Sequence, residues 1–273
     1  MVAMRKLPRV LTIAGSDSGG GAGIQADIKT MCALNCYGMS AITAITAQNT
    51  LGVYAVHPIP PDIVKKQIEV VLSDIGVDAI KTGMLWGTEI ITVVHEVLEI
   101  YPQPYLVIDP VLVAKSGDLL LHQEAISSLL ELLIPHAWLI TPNLPELKEL
   151  TGIEPEDKDA ITQAGYILLE KGVKYVLVKG GHGQGEKIKD YLFSYKNEEM
   201  CFVSPRVYSP HTHGTGCTLS SAIACYLARG LETEIAVEKA IQFVHKSIET
   251  APNLGKGHGP LNHLWMNPEI NCK

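Results

Sequence analysis

Residues 9–34 read RVLTIAGSDSGGGAGIQADIKTMCAL. An apolar, β-branched run from Arg9 to Gly15 meets a glycine-rich turn, and from Gly23 to Leu34 the apolar residues recur at helical spacing. That pattern predicts strand, turn, helix. The same unit repeats along the chain. Strands are predicted at 40–49 (SAITAITAQN), 78–84 (DAIKTGM), 104–111 (PYLVIDPV), 137–143 (AWLITPN) and 174–181 (KYVLVKGG). Helices are predicted at 61–75, where Pro61 suits a first helical position, and at 87–100, 123–134, 144–152 and 157–172, the last closed by Gly172 as C-cap. DYLFS (190–194) and MCFVSPRV (200–207) read as an antiparallel pair, and two helices follow at 216–230 and 233–250. No element is read between Asn49 and Pro61. Strand–helix alternation of this kind implies an α/β fold: a three-layer sandwich with a mostly parallel central sheet flanked by helices. No linker, repeat or low-complexity tract interrupts it, so residues 1–273 are read as a single domain.

Composition narrows the function. The chain has 273 residues, 47% hydrophobic and 19% charged, enough to bury a substantial core. The formal net charge is −7 and no run of lysines or arginines occurs, which argues against nucleic acid as a partner. The six cysteines form no C-x-x-C pair and are scattered, so they are expected as reduced thiols in a cytoplasmic protein. The basic N-terminus is followed by too short an apolar run for a signal peptide. Thr30 to Pro61 lacks Asp, Glu, Lys and Arg, but asparagines, glycines and prolines break it, so it reads as buried strand and not as a membrane span.

In an open parallel sheet, ligands sit beyond the C-terminal strand ends. Six loops there carry chemistry. The first is AGSDSGGGAG (14–23), with Asp27 in the following helix; a carboxylate there could hydrogen-bond a small polar ligand or simply face the helix N-terminus. In TAQNT (46–50), Gln48 offers an amide suited to a heteroaromatic edge, or is satisfied by backbone. In VIDPVLVAKSGD (107–118), Asp109 ends an apolar strand, where a carboxylate needs a cation, and Lys115 follows. In LITPNLPELKEL (139–150), Asn143 and Glu146 are spaced either to hold a hydrated magnesium ion or to form a capping box. Lys179 ends the strand of VLVKGGHG (176–183). In HTHGTGCTLSS (211–221), the N–H groups of Gly214, Thr215, Gly216 and Cys217 would form an anion hole at a helix start. The helix end should lower the Cys217 thiol pKa; the bland alternative is a small buried hydrophobe.

Together, TIAGSDSGGGAGIQADIKT, AITAQNT, KTGML, DPVLVAKSGD, ITPNLPE, VKGGH and THGTGCTLSSAIA resemble the hydroxymethylpyrimidine/phosphomethylpyrimidine kinases of thiamine synthesis, a ribokinase-like family. The resemblance runs from about Val10 to Pro260. It implies ATP and Mg2+ as cofactors, and a small pyrimidine alcohol and its monophosphate as substrates. It also implies a homodimer. It places the pyrimidine against Gly15, with Asp27 and Gln48 reading its edge and Met84 and Val111 as apolar walls. It makes Gly214 to Cys217 the catalytic anion hole, with Cys217 at the base position. It gives Asn143 and Glu146 to the metal, and Asp109 and Lys179 to the nucleotide side. Where the family form is D-P-S-G-G-A-G, this chain has DSGGGAG, so Ser18 and Gly19 should make a more flexible loop. Three other readings stand beside it: a pyridoxal kinase of the same superfamily, a nicotinamide-dependent oxidoreductase, and a non-catalytic sensor. The second would want an acidic residue ending its second strand, where the sequence has Gln48-Asn49.

Overall fold

The computed structural model describes residues 7–103, 105–112, 123–181, 185–196 and 198–267, so Lys115, His182 and most of the Asp109–Asp118 loop lie outside the described residues. Nine strands form one sheet. β1 (Arg9–Asp17) pairs in parallel with β2 (Tyr37–Asn49) on one side and β4 (Ala79–Thr82) on the other. β4 continues in parallel to β5 (Leu106–Ile108), β6 (Leu139–Ile140) and β7 (Tyr175–Val178). Both edges are antiparallel: β3 (Gly52–Pro58) against β2, and β8 (Lys187–Ser194) with β9 (Glu199–Pro205) beyond β7.

The period-two alternation of the strands sorts the core onto two faces. Leu11, Ile13, Ile80, Leu106, Ile108, Ile140, Val176 and Val178 point one way, into a cluster with α2 (Pro61–Asp74), α3 (Thr88–Ile100), α4 (Gln123–Ser128), α5 (Leu144–Thr151) and α6 (Lys158–Glu170). Val10, Ala79, Val107, Leu139, Tyr175 and Leu177 point the other way, against α1 (Gly23–Ala33), α7 (Thr215–Ala228) and α8 (Thr233–Glu249). This is the expected three-layer α/β arrangement, with the sheet buried on both faces.

Two segments depart from the sequence reading. GVYAVHP forms β3, although it starts at a glycine, ends at a proline and is exposed along most of its length. An edge strand needs no alternating buried face, so it leaves no periodic signal. The helix read at 123–134 keeps α geometry only to Ser128, then widens to a π turn over Leu129–Leu133 and tightens to a 3-10 turn over Ile134–His136. Pro135 explains the change, since it lacks the N–H that an α-helix would use there. The parallel strands bring their C-terminal ends to one edge of the sheet, and the start of α7 arrives at the same edge beside β4 and β5.

Candidate active site

The site is built above a buried ion pair. Lys81 in β4 places Nζ 2.9 Å from both carboxylate oxygens of Asp27 in α1, and both side chains have no exposed surface. Thr12 in β1 donates to the same carboxylate at 2.7 Å, and so does Ser221 in α7. Burial alone would favour neutral Lys81, but the charge and hydrogen bonds of Asp27, together with Cys217 and Asp109, outweigh it and raise the ammonium pKa. The expectation that Asp27 reads a ligand edge is therefore corrected: its oxygens are shared among four internal donor contacts. Lys81 was legible only as a lone cation in an apolar strand, a signal that the strand pattern masked.

Asp17, at the end of β1, organises the glycine loop. Its Oδ1 accepts from the Gly19 N–H at 2.8 Å, and its Oδ2 from Gly21 at 3.1 Å, Ala22 at 2.8 Å and His213 Nε2 at 2.9 Å. Burial pushes its pKa up, but the His213 and backbone donors pull it further down, so the carboxylate stays ionised. His213 thus ties the first loop to the α7 loop. The two run so close that a Cβ on Gly214, which has φ of 84°, would collide with the Gly21 carbonyl. Neither Asp17 nor His213 was singled out from sequence, although both stand in the quoted loops.

Gln48 lies beside them, half-buried. Its amide oxygen is placed 3.1 Å from Thr46 Oγ1, and its amide nitrogen 3.3 Å from His213 Nε2. The Thr46 hydroxyl already donates to the Ser16 carbonyl at 2.8 Å, and the His213 Nε2 proton is held by Asp17. Thr46 Oγ1 thus lies between the Ser16 carbonyl and the Gln48 amide, and His213 Nε2 between Asp17 and Gln48. The Gln48 backbone is clamped as well. Ser18 Oγ accepts from its N–H and donates to its C=O, both at 2.8 Å. A Cβ on Gly19 would lie 3.2 Å from Asn49 Cα and from the Gln48 carbonyl. The expected loosening at Ser18-Gly19 is corrected: the serine pins the loop to β2, and the glycine lets it approach. Met84 covers Gly15, where any Cβ would meet its terminal methyl. Val111 is half-buried and lines a small cavity with Thr82 and Asp109.

Across the site, Asp109 follows β5 and is 2% exposed. Lys179 Nζ lies 3.1 Å from Asp109 and 3.7 Å from Glu146, and Thr141 donates to Asp109 at 3.2 Å. Burial raises the Asp109 pKa, but Lys179 and Lys81 outweigh it and hold it down. Glu146 goes the other way. Burial, with Asp109 adding to it, overcomes Lys179 and pushes its pKa up to about 7. Asn143 and Glu146 form the capping box of α5, each side chain bonding the other's N–H at 2.8 Å. The capping geometry that the sequence allowed is therefore present. One Glu146 oxygen makes that bond, and a carboxylate keeps further lone pairs for a cation.

The N-terminus of α7 closes the site. Gly214 caps it without a side chain, and the helix ladder begins with Thr218 donating to Gly214 at 2.9 Å. The N–H groups of the first turn therefore need partners from outside the helix. A Cβ on Gly216 would stand 3.3 Å from Asp109 and 3.5 Å from Lys179, so these donors adjoin that pair. Cys217 sits among Lys81, Asp27 and Asp109, with the Gly23 N–H bonded to its sulfur. The expected lowering of its pKa is corrected. Burial, with Asp27 and Asp109 adding to it, outweighs Lys81 and Gly23 and pushes the thiol up to about 11.

A phosphomethylpyrimidine kinase family model matches residues 17–262, a span that contains every loop of the site except residues 14–16 of the first. The chain belongs to the phosphomethylpyrimidine kinase family. A hydroxymethylpyrimidine/phosphomethylpyrimidine kinase of Haemophilus influenzae is 47% identical over 263 residues, covering 95% of this chain and 98% of that protein. The thiamine biosynthesis bifunctional protein of Geobacter sulfurreducens is 48% identical over 96% of this chain, which spans 53% of that longer protein. Among solved structures, a phosphomethylpyrimidine kinase of Clostridium difficile superposes with a TM-score of 0.79 at 48% identity, over 88% of this chain and 99% of its own. A Staphylococcus aureus pyridoxal kinase in complex with AMP-PCP gives 0.89 at 36% identity, over 97% and 96%. Backbone shape thus fits both vitamin kinases, while sequence identity separates them. Among the described residues no helix is long and apolar enough to cross a membrane, and Cys32, Cys36, Cys201, Cys217 and Cys225 are free thiols.

Two predictions test this geometry. Ser18→Ala removes the acceptor of the Gln48 N–H, so exchange of that amide should quicken by about 3–10-fold, the equivalent of one ordinary hydrogen bond; unchanged exchange would mean that the clamp does not hold β2. Alkylation of Cys217, followed by peptide mass spectrometry, should climb roughly tenfold per pH unit from neutrality to above pH 9, because only thiolate reacts. A plateau below pH 8 would show that the helix end, and not burial, sets its ionisation.

Proposed function

We propose that the chain is an ATP-dependent kinase that phosphorylates the hydroxymethyl group of 4-amino-5-hydroxymethyl-2-methylpyrimidine and then phosphorylates the monophosphate, in thiamine biosynthesis. The observation that carries this reading is the α7 N-terminus, whose free N–H groups adjoin the Asp109–Lys179 pair and Cys217 at the strand ends. Family membership supplies the substrate class. Phosphoryl transfer through a loose transition state demands positioning and charge neutralisation more than covalent chemistry. The backbone donors would hold the moving phosphoryl oxygens, and Lys179 would neutralise phosphate charge.

The pyrimidine would lie on Gly15 under Met84, with Val111 as a further wall. The Gln48 amide would meet its polar edge. Asp27 would act one step removed, by holding Lys81 and α7 in place. Cys217, a thiol in the resting site, would orient the acceptor hydroxyl. In a loose transition state that hydroxyl keeps its proton until the new P–O bond forms. The proton then sits on a strongly acidic oxygen and can pass to a phosphoryl oxygen.

The donor set also suits Mg2+. Asp109 and Glu146 share one ammonium, Lys179, and burial with the Asp109 charge beside it raises the Glu146 pKa, so a cation there would be welcome. These oxygen ligands are the type that a hard cation prefers, with Asn143 beside them. Bound there, the ion would neutralise ATP phosphate charge. Assembly as a homodimer accords with Ile45, Leu51 and Tyr54, which are exposed at the β2–β3 edge; a cytoplasmic location accords with the free thiols.

The test is purified protein with magnesium-ATP, offered the hydroxymethylpyrimidine and, separately, pyridoxal, with products resolved as mono- and diphosphate. The pyrimidine monophosphate should form first and the diphosphate should follow from it. If neither pyrimidine ester forms, or if pyridoxal has the higher kcat/KM, the assignment is wrong.

A further inference from the structure

We infer that His95, Glu99 and His136 bind a zinc-class divalent ion at the end of the sheet opposite the active site. His95 and Glu99 are one turn apart on α3, so they share a face. His136 ends the 3-10 turn just before β6. α3 runs back from the C-terminal end of β4, which brings its last turn to the N-terminal strand edge, beside the start of β6. The ligand atoms of the three residues all lie within 4.8 Å of one another, the only such group of His, Cys, Asp and Glu among the described residues. His136 Nε2 is 3.4 Å from Glu99 Oε1.

The imidazole spacing fits one ion. The two ring centroids are 5.2 Å apart and the planes are tilted by 53°. Two imidazoles on a single tetrahedral zinc, with Zn–N bonds of about 2.0–2.1 Å, put their ring centres about 5 Å apart. His95 Nδ1 is buried and has no hydrogen-bond partner, so coordination would give this imidazole the partner that its surroundings withhold. The side chains of His136 and Glu99 are 36% and 57% exposed, which leaves an entry path and room for water as a fourth ligand. Two nitrogens and one carboxylate select zinc-class ions over magnesium, which prefers oxygen. Such an ion would staple the end of α3 to the turn that launches β6.

The experiment is calorimetric titration of the intact protein with Zn2+, with Co2+ absorption as a spectroscopic check. Wild type should bind one ion that His136→Ala loses, with affinity falling by more than the roughly 10–100-fold that loss of an outer-shell partner costs. Glu99→Gln, which keeps the helix intact, should weaken binding as well. The tetrahedral Co2+ bands should vanish in His136→Ala, while magnesium-ATP turnover without zinc stays as in wild type. The exposed thiols Cys32 and Cys201 are common to all variants, so the difference isolates this cluster. If wild type binds no Zn2+, or if His136→Ala binds it with equal stoichiometry and affinity, the site does not exist and His136–Glu99 is a surface ion pair only.

Discussion

The Lys81–Asp27 ion pair is the constraint on which the site depends. It is wholly buried, and Thr12 and Ser221 complete the coordination of the carboxylate. Four elements therefore meet at one charge: β1, α1, β4 and α7. An unpaired charge at such a place costs several kcal/mol, so the pair is stable only when all four elements are docked. It also fixes how α7 lies against the sheet, and hence where its free N–H groups point.

The same pair shapes the electrostatics above it. Around the Lys81 and Lys179 ammonium groups stand three carboxylates, Asp27, Asp109 and Glu146. Burial, with the neighbouring carboxylates adding to it, raises Glu146 to about 7 and Cys217 to about 11. Ionising that thiol at pH 7 would cost about 5 kcal/mol, a large share of any barrier reduction. A site arranged in this way attracts cations and keeps its cysteine protonated. Its catalytic means are then placement of the acceptor and neutralisation of phosphate charge.

Much of this was legible in the sequence because it is periodic or local. The alternation that gave β1, α1 and β4 is visible in apolar spacing, and the α7 loop announces itself by glycines that only a close backbone approach requires. The Asn143–Glu146 capping box follows from three-residue spacing. What stayed hidden depends on long-range contact. Lys81 looks like any strand residue until Asp27, 54 positions away, is brought beside it. Asp17 and His213 are 196 positions apart. The Cys217 pKa was misread because the helix end is a local signal, whereas burial and the Asp27 and Asp109 charges are assembled only by the fold.

The central claim is that the buried pair, as a pair, holds the four elements together. A double-mutant cycle on chemical denaturation tests it, with Asp27→Leu, Lys81→Met and both together. Each single variant leaves one buried charge alone and should lose about 3–5 kcal/mol, while the double variant should lose clearly less than either. Additive losses, with the double variant the least stable of the three, would contradict the account.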